Sequence, residues 1–162
     1  MRTEIDLAYT AGLFDGEGYF GVRFENHPEV RMKIRIAPIV TLGQNSQDFD
    51  SIYHYMTERF PDIFFGKPYH IRATNVKVLR IKRKDEVMQF IRLIKPFVLL
   101  PSTKKKIDLL EKIYEIAPKY KKVNKAEFKQ LLLLVKELRT MSKRSGRTMK
   151  TKTDIDALIA SL

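Results

Sequence analysis

Asp15 and Glu17 stand where a helical pattern gives way to a strand pattern, in the run Thr10-Ala11-Gly12-Leu13-Phe14-Asp15-Gly16-Glu17-Gly18. Gly16 and Gly18 are helix-stop residues and Tyr19-Phe20-Gly21-Val22 reads as strand, so both carboxylates fall at the negative pole of a helix. Each acid there costs roughly 0.3–1 kcal/mol unless a cation offsets it. A hard divalent metal is the natural counter-charge, since it prefers carboxylate oxygens. Gly12 and Gly16, four apart, strip one helical face of side chains and let a second backbone approach closely. The overlapping Gly16-x-Gly18-x-x-Gly21 has the letters of a dinucleotide-binding loop but the wrong context. That loop leaves a strand and opens a helix, whereas here a helix runs into a strand.

The same run resembles the signature of the LAGLIDADG homing endonucleases, site-specific DNA nucleases usually encoded in introns or inteins. Ala11-Gly12-Leu13 matches Ala-Gly-Leu, Phe14-Asp15 stands for Ile-Asp, and Gly16-Glu17-Gly18 stands for Ala-Asp-Gly. Thr10 replaces the leading Leu, and Glu17 keeps the second acid on a stem one methylene longer. The resemblance implies a Mg2+ site at Glu17 and Gly16, with Mn2+ or Ca2+ able to substitute in binding. It implies a subunit seam at Ala11, Gly12, Asp15 and Gly16, with Asp15 mainly structural. Because the motif occurs once, cutting both strands takes two chains, and a two-fold axis calls for a roughly palindromic double-stranded DNA site. The expected product is a staggered break with short 3′ overhangs.

Two further catalytic candidates come from the same resemblance. Gln44 lies at the end of the second strand, at the place where small homodimeric members carry a water-orienting Gln. The competing reading makes Gln44 and Asn45 ordinary loop residues before a Ser46 helix cap. Relatives can carry an arginine four residues after that Gln, and here the position is Asp48. The run Pro96-Phe97-Val98-Leu99-Leu100-Pro101 resembles the segment before the family's catalytic lysine. Lys104 is the best match; Pro101-Ser102 looks like a small insertion, which leaves Lys105 or Lys106 as alternatives, with a solvated lysine cluster as the bland reading.

Composition agrees with a polyanionic partner. The 162 residues carry 31 Lys and Arg against 19 Asp and Glu, a net charge of +12, and such a surplus attracts phosphate and releases counterions. A solvated basic surface is the alternative. No cysteine is present, which excludes disulfides, thiol nucleophiles and Cys-based zinc sites. His27, His54 and His70 have no ligand spacing. No apolar run reaches the roughly 18 residues of a membrane span and no signal peptide opens the chain, so a soluble intracellular protein is expected. The abundance of Lys, Arg and Ile leans to a thermophilic archaeon, with an organellar intron as the alternative source.

These residues need elements to hold them. Thr3-Glu4-Ile5-Asp6 is a capping-box start for a helix over 4–17. Phe20, Val22 and Phe24 then alternate with Tyr19, Gly21, Arg23 and Glu25. After a turn at 26–29, Met32, Ile34 and Ile36 alternate with Arg31, Lys33 and Arg35. The hairpin therefore has one apolar and one basic face, and Thr41 further along is counted on the basic one. A helix follows over 46–60. A second strand pair, near 64–73 and 76–82, places His70, Arg72, Arg80 and Lys82 on its polar side. Helices are expected over 85–95, 103–117 and 124–141. A basic DNA-contacting loop, 142–152, carries Lys143, Arg144, Arg147 and Lys150, and a short terminal helix capped by Thr153 spans 153–162.

The order αββαββα plus three helices describes a single α+β domain over 1–162, with a four-stranded antiparallel saddle and helices on one side. The open basic face becomes the DNA reader, because a β-ribbon can lie in the major groove. The resulting expectation is a homodimeric, metal-dependent DNA endonuclease. Its rivals are a regulator that kept the fold and lost cleavage, and a maturase whose partner is intron RNA.

Overall fold

The computed structural model describes residues 2–29, 31–116, 123–141 and 154–162. Helix α1 spans Glu4–Glu17 and opens on the expected capping box, with the Thr3 hydroxyl accepting the Asp6 N–H and the Asp6 carboxylate accepting the Thr3 N–H. The Thr3 backbone N–H and hydroxyl, with Arg59 and Tyr55 nearby, hold the Asp6 carboxyl below its ordinary pKa. Gly18 then turns the chain from helix to strand. A Cβ there would lie 2.5 Å from the Phe14 carbonyl oxygen, so only glycine lets the strand leave this close to the helix.

Strands β1 (Gly18–Asn26), β2 (Ile34–Asn45), β3 (Gly66–Ile71) and β4 (Val76–Ile81) form one antiparallel sheet in the order β1-β2-β4-β3. The register pairs Phe20 with Val40 and Val40 with Ile81, aligning the apolar sides of three strands. Phe20, Ile36, Val40, Leu42, Leu79 and Ile81 are buried on that side beneath the helices. The helices are α2 (Ser46–Arg59), α3 (Lys84–Ile94), α4 (Pro101–Ile116), α5 (Lys125–Met141) and α6 (Ile155–Ala160). Asn124 and Glu127 form the expected capping box of α5. An edge-to-face chain of rings, Phe20–Phe14–Phe90–Phe60, locks the C-terminal half of α1 between sheet and α3, with centroids 6.1, 4.9 and 5.5 Å apart. The acids at the end of α1 are thus carried by a rigid helix. No described helix is long and apolar enough to cross a membrane.

Several boundaries differ from the pattern in the sequence. β2 begins at Ile34, because Lys33 adopts a left-handed backbone (φ 55°) that breaks the extended repeat, and its carbonyl accepts the His27 N–H to close the hairpin. Arg31 and Lys33 therefore lie in the turn, outside the ladder. β3 ends at Ile71, and Arg72 begins a 3-10 turn closed by Asn75, which takes a φ of 50°. The cap of α2 is Asn45, whose side chain accepts the Gln47 N–H, and Ser46 instead donates to Asn75. Asp154 caps α6 by accepting two backbone N–H groups.

Candidate cleavage site and nucleic-acid interface

Glu17 is the last residue of α1 and is exposed, and among the described residues its carboxylate has no hydrogen bond or ion pair. The last turn of α1 contains no basic residue. The electrostatic cost expected for Glu17 is therefore uncompensated among the described residues. Among the described residues no cluster of three or more His, Asp and Glu could hold a metal ion. One chain offers Glu17 and the backbone oxygens of the helix end, a sparse donor set that suits Mg2+, which keeps several waters and binds through one or two carboxylates plus phosphate.

Asp15 has a different task. Its Oδ2 accepts the backbone N–H groups of Leu99 and Leu100 at 2.8 and 3.3 Å, fixing the segment ahead of α4 against the end of α1. Its other oxygen, Oδ1, is buried without a hydrogen-bond partner among the described residues. The expected seam place of Ala11 is corrected: it is fully buried in the core and has no surface to offer a partner. Gly12 and Gly16 are exposed, and a Cβ at either would meet nothing within 4 Å. Ile5, Ala8, Tyr9, Gly12 and Gly16 share that outward stripe, with Ile5 80% and Tyr9 53% exposed. Leu99, 80% exposed, stands where Asp15 anchors its backbone.

Gln44 lies near this end of the sheet. Gly18 pairs with Leu42, so Gln44 sits two residues beyond, about 7 Å along the strand. It is half-buried and its Oε1 accepts the Asn45 N–H. Lys104 follows the segment that Asp15 anchors: its N–H donates to the Leu100 carbonyl, and the Leu100 N–H is held by Asp15. Pro101 and Ser102 open α4, and Lys104, Lys105 and Lys106 follow in its first turns. Lys104 lines a depression with Arg92, Lys95, Pro96 and Asp108, and no residue of α1 contributes to its walls. Lys105 pairs with Glu137 on α5. Asp48 is exposed in the first turn of α2.

The open face of the sheet carries Tyr19, Arg23, Glu25, Arg35, Thr41 and Arg80 in register, with Thr41 directly opposite Arg80. Its floor is small and apolar: Ala37, Ile39 and Val78 are buried there. Glu25 joins two of the arginines, 2.7 Å from Arg23 and 3.9 Å from Arg35. Arg23 also donates to the carbonyl of Lys82, which follows β4 and is exposed. His70 pairs in register with Lys77, whose ammonium lies over the Phe49 ring on the helix side. The expectation of His70 beside Arg80 is therefore corrected, because the register shift between Gly66 and Tyr69 reverses the alternation. In its place Tyr69 joins the open face, under the Arg80 guanidinium, 4.5 Å from the ring centre. Its signal was hidden by the irregularity around Pro68. Lys143, Arg144, Arg147 and Lys150 lie outside the described residues.

No protein-family model matches the sequence, and no curated protein matches it either. Solved structures do. The chain is similar to I-Vdi141I, an archaeal intron-encoded homing endonuclease complexed with DNA, with a TM-score of 0.74 and 17% identity over 97% of this chain and 94% of that one. It is similar to I-CeuI, a group I intron-encoded homing endonuclease complexed with DNA, with a TM-score of 0.75 and 15% identity over 99% of this chain and 77% of that one. It is also similar to I-LtrWI, a LAGLIDADG homing endonuclease bound to target DNA, with a TM-score of 0.70 and 17% identity over 90% of this chain but only 47% of the other. Identities this low speak to architecture, and on that level the chain has the α+β fold of the LAGLIDADG homing endonucleases.

Proposed function

We propose that the protein is a homodimeric, metal-dependent endonuclease that makes a staggered double-strand break in a long, roughly palindromic DNA site. The observation that carries this reading is the exposed Glu17 at the negative end of α1, without an ion pair among the described residues, beside the exposed Gly12 and Gly16, where a Cβ would meet nothing within 4 Å. Packing two α1 helices along Gly12 and Gly16 brings both Glu17 carboxylates to one seam and sets two sheets side by side as a saddle for duplex DNA. Glu17 and the Gly16 carbonyl would hold Mg2+, which when bound supplies an activated water and steadies the leaving oxygen. Gln44 orients the attacking water, while the arginines of the open face fix the register of the duplex.

The similar structures complexed with DNA support this partner, and those solved in the presence of Mg or Ca ions support a divalent metal. A binding-only regulator on the same fold is the second reading, and the retained Glu17 favours cleavage. A supercoiled plasmid library with randomised inserts, incubated with Mg2+, should yield linear DNA enriched in near-palindromic inserts. Equal cutting in EDTA, or no cutting with any divalent ion, would contradict a metal-dependent nuclease.

A further inference from the structure

The arginines on the open face are held in two different ways. Arg23 and Arg35 share the Glu25 carboxylate, which offsets part of their charge. Arg80 has no hydrogen bond or ion pair among the described residues, and its Nε is buried without a partner. What holds it is Tyr69 on the neighbouring strand. Tyr69 pairs with Val78, so it lies diagonally from Arg80, and its ring supports the guanidinium plane from beneath. Gly66, directly opposite Arg80, leaves that flank without a side chain. A planar fork that is fixed in direction and unspent on protein acceptors suits a ligand with two adjacent acceptors in one plane. The major-groove edge of guanine, with N7 and O6, is that ligand.

We propose that Arg80 is a specificity-determining residue that reads one guanine in each half-site, and that Tyr69 is its positioning residue. This rests on the sheet being the DNA interface. Tyr69 holds the guanidinium at a defined height above Val78, so the fork meets a base edge without first losing rotamer freedom. Glu25 leaves Arg23 and Arg35 less able to make the same contact, so the sharpest guanine preference falls at the Arg80 position.

The test selects bound sequences from a randomised duplex library with wild type, Arg80→Gln, Tyr69→Leu and Tyr69→Phe. Wild type should enrich guanine at a symmetric pair of positions. In Arg80→Gln the guanine-to-adenine ratio there should fall about tenfold or more, because a Gln amide matches adenine N6 and N7. Tyr69→Leu should weaken the guanine preference several-fold, and Tyr69→Phe should keep it. An unchanged base profile in Arg80→Gln overturns the assignment to Arg80, and an unchanged profile in Tyr69→Leu overturns the positioning role. If wild type fails to bind the library at all, the DNA-interface reading falls and takes this one with it.

Discussion

Replacing Glu17 with Gln should lower the rate of DNA cleavage by about 10³-fold or more while leaving fold and DNA binding intact. The size follows from what Glu17 supplies, since even a single transition-state donor contributes roughly 10²–10³ and a metal-holding carboxylate contributes at least as much. Specificity of the effect follows from exposure. Glu17 is exposed and has no hydrogen bond or ion pair among the described residues, so the amide disturbs no packing and no ion pair there. Removing a negative charge from the helix C-terminus should stabilise α1 by a few tenths of a kcal/mol, or about 0.3–1 at most. Cleavage kinetics on a selected site, paired with thermal unfolding, separate the two effects. Cleavage within a few-fold of wild type would show that Glu17 is not a metal ligand.

Gly12→Leu should abolish dimerisation and with it double-strand cleavage. A Cβ at position 12 meets nothing within 4 Å, so the chain tolerates leucine there. Leucine in place of glycine inside a helix favours the helix by about 0.8–1 kcal/mol. The fold is retained, but the close approach of two α1 backbones is lost along the stripe of Ile5, Ala8, Tyr9, Gly12 and Gly16. Light scattering should give a mass near 19.0 kDa for the variant and twice that for wild type. A variant that remains dimeric would place the subunit seam elsewhere.

The architecture was largely readable because its signals are local and repeated. The period-two runs over β1, the capping boxes of α1 and α5, and the glycine stop at Gly18 each name an element by short-range chemistry. The faces of β2 and β3 were harder, because a single residue reverses an alternation. Lys33 leaves the ladder through a left-handed backbone, and the bulge before Tyr69 puts Tyr69, in place of His70, on the open side. Ala11 and Gly12 show a similar limit: adjacent on one helix, they face core and solvent, and only packing shows which. Lys104, Lys105 and Lys106 follow one another in the first turns of α4, so residue type alone does not choose among them. Asp15 was legible as a structural acid, but its partners, Leu99 and Leu100, are 84 and 85 residues away.

The proposed scheme, one Glu17 per chain and two chains per break, leads to a direct measurement. A mixed dimer of one wild-type and one Glu17→Gln subunit, purified through two different affinity tags, should nick a single strand of a selected plasmid site and accumulate open circles. Linear product from that mixed dimer, at a rate near that of wild type, would contradict the assignment of one cut to each Glu17.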